Sequence, residues 1–149
     1  MNKTNLLEQL RAAKSAHIQW RARAQALVSG LPLEGNAVPV LHTDCKFGIW
    51  YYGAGQVLSQ LPAFHEIDQT HEQLHLVYMQ IFKLIFGNDD RSALSRLFGS
   101  KKKHETAKLE SAKKLLPSLV AISKDLLTLI ESLEKEVRNM SEEELLSVV

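Results

Sequence analysis

The sequence predicts an all-α fold, an antiparallel helical bundle of about four main helices plus short helices. Three observations carry that prediction. Apolar residues recur at steps of three and four through every long segment, the period of a helix with one buried face. No segment alternates apolar and polar residues as a half-buried strand does. The joining stretches are short, so neighbouring helices run antiparallel. With 149 residues, a single domain spanning 1–149 is expected, and it can bury a core without disulfides.

The first helix carries its stripe on Leu6, Leu10, Ala13, His17, Trp20, Ala24 and Leu27, and Gly30 and Pro32 end it. Gly30, Pro32, Gly35, Asn36 and Pro39 mark a loop. Thr43 or Asp44 is expected to cap a short second helix holding Cys45, Phe47, Ile49, Trp50 and Tyr51, closed by Gly53 and Gly55. Pro62 suits the first turn of a third helix, with Ser59 as its cap. That helix buries Phe64, Ile67, His71, Leu74, Tyr78, Ile81 or Phe82, and Ile85, with His75 beside the stripe, and stops at Gly87-Asn88-Asp89-Asp90. A short helix through Leu94 and Leu97 ends at Gly99. The last long segment aligns Leu109, Ala112, Leu116, Leu119, Ile122, Leu126, Ile130, Leu133 and Val137, and Pro117 inside it is expected to kink or split the helix. Ser141-Glu142-Glu143-Glu144 reads as a capping box opening a final short helix. Residues 100–149 thus form the C-terminal helices.

Hydrophobic residues make up 45% and charged residues 23%, the balance of a globular protein in water. A net charge of +1 gives no global field for nucleic acid or membrane. No apolar run approaches the length of a membrane span, and residues 1–17 lack the pattern of a secretory signal, so a cytoplasmic location is expected. The single cysteine, Cys45, excludes an internal disulfide and leaves a thiol for metal or redox work.

Three of the six histidines, His17, His71 and His75, fall on or beside apolar stripes, while His42, His65 and His104 fall in loops or on polar faces. A buried imidazole needs partners for its nitrogens. His71 and His75, four residues apart, project from one face of the third helix. His17 can face them from the first helix, and Cys45 opens the second. Three imidazoles and one thiolate form a tetrahedral donor set suited to zinc, and the sulfur argues against magnesium or calcium. A core of ordinarily hydrogen-bonded histidines is the competing reading.

His71-Glu72-Gln73-Leu74-His75 also fits the H-E-x-x-H pattern of zinc peptidases. Such a site needs a third ligand downstream and an open position for water. The residues after His75 read LVYMQIF, and no third-ligand motif follows. Glu72 lies on the polar side of its helix and reads as a solvated carboxylate. A di-iron bundle needs inward carboxylates, which the stripes lack; Asp68, three residues before His71, could touch that ring's second nitrogen. No catalytic residue is therefore assigned, and an enzyme is not expected.

Three motifs resemble those of the chemoreceptor zinc-binding (CZB) domain family. They are His17-Ile18-Gln19-Trp20, the block from Cys45 through Phe47-Gly48, Trp50-Tyr51-Tyr52 and Gly55, and Leu61-Pro62-Ala63-Phe64 followed by His71 and His75. The resemblance covers about residues 10–90. It implies zinc held by His17, Cys45, His71 and His75, in a cytoplasmic helical sensor, often homodimeric, attached to a chemoreceptor or a diguanylate cyclase. Thr70 stands where the family often has proline and Phe47 where leucine is commoner. Residues after about 100 resemble neither a cyclase nor a receptor signalling coiled coil.

The function expected is a zinc-binding sensory or regulatory module of bacterial signalling, responding to zinc or to a thiol oxidant and acting on a signalling partner. The alternative is a structural or zinc-buffering bundle without signalling, and the remote one is the peptidase. Val120, Leu127 and Leu129 widen the apolar face of the last long helix, for the core or for a second subunit. The tail from Leu145 to Val149 either docks a partner or frays. Lys101-Lys102-Lys103-His104 lacks interleaved aromatics and reads as a solvated helix start rather than a nucleic-acid patch. Trp20, Trp50, Tyr51 and Tyr52 are expected to pack around the metal and exclude water.

Overall fold

A computed structural model describes residues 2–34, 37–87, 93–99 and 101–149. The turn residues Gly35 and Asn36, and the helix stop assigned to Asn88, Asp89 and Asp90, lie outside them. Six α-helices follow in chain order among the described residues: α1 (Lys3–Val28), α2 (Lys46–Tyr52), α3 (Pro62–Phe86), α4 (Ala93–Phe98), α5 (Lys101–Asn139) and α6 (Glu142–Val148). A 3-10 turn, Ala54–Leu58, links α2 to α3. The all-α bundle is as expected, with α1, α3 and α5 as its long members and α2 as a short wall at one side.

Local chemistry sets the boundaries. Asn2 caps α1 by accepting from the Asn5 amide. At its other end Gly30 takes φ 90°, which lets Leu31 N–H reach Ala26 C=O and Gly30 N–H reach Leu27 C=O, a Schellman close. α3 starts on Pro62, whose missing N–H costs nothing in a first turn; its cap position is Leu61 without a side-chain bond, and Ser59, expected to cap it, closes the 3-10 turn instead. Ser141 and Glu144 form the reciprocal capping box of α6.

α5 runs unbroken through Pro117. The expected split does not occur because Pro117 and Lys113 both lie on the exposed side, where water can take the carbonyl that proline leaves without its helical donor. α5 packs along both α1 and α3. Its direction relative to α1 follows from the partners. Lys3 Nζ donates to the carbonyls of Arg138 and Met140, Arg11 pairs with Glu134, Lys14 with Glu131, and His17 with Ser123. Rising numbers on α1 meet falling numbers on α5, so the two are antiparallel. The stripe residues Leu6, Leu10, Ala13, Trp20, Ala24 and Leu27 of α1 meet Phe64, Ile67, Leu74, Tyr78 and Ile81 of α3 and Leu119, Leu126, Ile130, Leu133 and Val137 of α5 in one core.

Candidate metal centre

Cys45 sits at the head of α2 and caps it in place of Thr43 or Asp44. Its Sγ accepts the Gly48 amide at 3.2 Å. Gly48 is required by space. A Cβ there would stand 1.7 Å from the His42 carbonyl oxygen and 3.3 Å from His71 Cε1, so only glycine lets α2 close onto both the preceding loop and α3.

The i, i+4 spacing on α3 turns His71 and His75 to the same side, ring centroids 4.9 Å apart. His71 Nε2 lies 3.3 Å from Cys45 Sγ. His75 Nδ1 lies 2.7 Å from the Val40 carbonyl. A carbonyl only accepts, so His75 carries its proton on Nδ1 and its Nε2 keeps a bare lone pair. That Nε2 is buried and has no protein partner. Cys45, His71 and His75 each offer a donor atom, and the three atoms lie within 4.8 Å of one another. Their exposures are 4%, 0% and 3%.

The donor set fits a zinc ion. Tetrahedral donors at Zn–N of about 2.0–2.1 Å and Zn–S of about 2.3 Å stand roughly 3.3–3.6 Å apart. The Cys45–His71 separation of 3.3 Å already matches that span. An unpaired buried imidazole nitrogen is costly in a closed core, and a metal would satisfy it. Burial also prepares the ligands. It lowers the pKa of His71 from 6.5 to about 2 and that of His75 to about 4, with the neighbouring imidazoles adding to the shift at His71. Both therefore stand neutral, as ligation demands. The Cys45 thiol is pushed up by burial, against the pull of the Gly48 amide.

His17, the fourth residue read from the sequence, is buried but is not within that group of three. Its Nε2 is 2.9 Å from Ser123 Oγ on α5. Its ring stacks on Trp20 at 6.0 Å and meets the edge of Phe47 at 6.4 Å. Burial, then the charge of Arg21, lowers its pKa to about 4. Of the four aromatics expected around the site, Trp20 packs on a ring of the trio, while Trp50 bonds to Gln9 and Tyr52 to Asp68. Trp20 lies 4.6 Å from His75 and donates Nε1–H to the Pro39 carbonyl, while Tyr51 stacks on Phe64 and donates to its carbonyl. Asp68 is not the second partner of His71. It accepts from the Tyr52 hydroxyl, and His71 Nδ1 stays unpartnered. Glu72 is exposed on α3.

Sequence reasoning missed Ser123, His42 and Val40. Ser123 could have been found: it is four residues after Leu119 and three before Leu126, an inward position. His42 was read as a loop residue, yet its ring stands 5.8 Å from His71 and 6.4 Å from His75. Val40 contributes only its backbone, which residue type cannot reveal.

Residues 17–82 match the family model described as the chemoreceptor zinc-binding domain, in agreement with the three motifs. Comparison with curated proteins and with solved structures gave no match.

Proposed function

From the match of residues 17–82 to the chemoreceptor zinc-binding domain model, we propose that the chain is a zinc-dependent sensory module of bacterial signalling, without enzymatic activity. The observation that carries this reading is the buried trio of Cys45, His71 and His75, with His75 Nε2 bare and its tautomer fixed by Val40. His17 is the fourth ligand. When bound, zinc would supply a cross-link between α2 and α3 and, through His17, α1. Val40 and Trp20 orient the imidazole of His75, and the surrounding rings keep water out. Glu72, outside that shell, has no role. The signal is zinc itself or an oxidant of the Cys45 thiolate, and the output partner is a chemoreceptor or a diguanylate cyclase-type protein, met as a homodimer in the cytoplasm. No described helix is long and apolar enough to cross a membrane, which is compatible with that setting.

Elemental analysis of the purified protein tests the reading. The wild type is expected to carry zinc at one ion per chain. Cys45→Ala, His71→Ala and His75→Ala should each lose most of it, and His17→Ala should bind more weakly. Zinc retained by the Cys45→Ala protein, with fold and assembly unchanged, would reject the switch. The complete burial of the trio favours a second reading, in which zinc only stabilises the bundle. In that case zinc removal would lower stability without altering assembly or any partner's activity.

A further inference from the structure

α5 lies outside the matched segment, yet it reaches the site through one side chain. Ser123 has 0% exposure and stands inward between Leu119 and Leu126. A buried hydroxyl must be paired. Four other hydroxyls on α5 find their partner within the helix: Thr106, Ser111, Thr128 and Ser132 each donate to the carbonyl four residues back. Ser123 instead turns its Oγ to His17 Nε2, 2.9 Å away on α1.

Arg21 shares the same hydroxyl. Its Nη1 stands 3.4 Å from the same Oγ. A guanidinium can only donate, so it takes one of the two acceptor sites on Oγ, and His17 Nε2 meets either the other lone pair or the hydroxyl proton, according to its tautomer. In either tautomer Nε2 is engaged with Ser123 and must leave it before it can ligate a metal. Three donors are gathered at Cys45, His71 and His75, while the fourth is held by α5.

We propose that Ser123 is the competitor of zinc for His17. In the metal-free chain the hydroxyl holds the imidazole; when His17 ligates zinc, the imidazole leaves Ser123, and α5 loses that one tie to α1. This inference rests on the zinc reading and adds the means by which occupancy is transmitted to a helix that contributes no ligand.

Zinc affinity, measured by chelator competition on the full chain, provides the test in wild type, Ser123→Ala, His17→Ala and the double variant. Ser123→Ala removes one atom, and alanine favours the helix. Losing the competing bond should tighten zinc binding about fivefold, the scale of one net buried hydrogen bond. The gain should vanish in the His17→Ala background, which a merely structural role of Ser123 would not cause. In the wild type, zinc should also raise amide exchange in the α5 turns around Ser123. Weaker or unchanged binding by Ser123→Ala, a gain that persists without His17, or no zinc effect on α5 exchange would each overturn the competition while leaving the zinc site standing. A wild type that takes up no zinc would overturn both.

Discussion

Gly48 shows how tightly single atoms are constrained around the site. Gly48→Ala would normally favour a helix, but here the new methyl collides with the His42 carbonyl. Overpacking of this kind costs about 1–3 kcal/mol, and a urea titration should show the loss together with weaker zinc uptake. The imidazoles make a second prediction. His17 and His75 have pKa values lowered to about 4, and His71 to about 2, from 6.5. The unfolded chain takes up protons that the folded metal-free chain refuses. Stability of the metal-free protein is therefore full above pH 6.5 and falls as pH drops from there towards 4. Denaturation midpoints taken near neutrality and about two pH units lower check the sign. Glu134, near-buried on α5, accepts from both Arg11 and Arg138, and these hold its carboxyl below the usual range. Both arginines are more than half exposed, so screening limits the pairing, and Glu134→Ala should cost about 1–2 kcal/mol. The inward histidines were legible because period and residue type coincide. What His17 bonds to was not, because Ser123 lies more than a hundred residues away and no local pattern links them.

Among the elements, α5 departs furthest from its sequence expectation. Pro117 sits mid-helix with its ring towards solvent. Pro117→Ala restores an N–H for the Lys113 carbonyl without disturbing a buried contact. It should raise stability by about 1–3 kcal/mol, visible as a higher melting temperature. The stripes of α1 and α3 were readable almost residue by residue, since each presents one apolar face to one core. Caps were less readable. A cysteine took the α2 cap from Thr43 and Asp44 because its sulfur also serves the site, and α3 uses proline without a side-chain cap. Leu94 and Leu97 made α4 legible as a helix, yet both are exposed, so periodicity indicated helix there without indicating burial.

At the scale of the molecule, zinc and fold should be linked. Ligands drawn from separate segments are brought together only in the folded state, so metal binds that state preferentially. Zinc at about a hundredfold over its dissociation constant adds roughly 2.7 kcal/mol, and chelation should lower the unfolding temperature accordingly. The bundle itself was legible from length, stripe count and loop lengths. Its antiparallel register was not, because it is fixed by pairs such as Lys14 with Glu131. One such pair has a topological result. Lys3 grips the Arg138 and Met140 carbonyls, and its amide donates to Glu142. The first turn of α1 and the start of α6 thus meet at one pole of the bundle. A short tether joining those ends, with a new opening at the exposed Gly99, should give a circular permutant that keeps the same bundle.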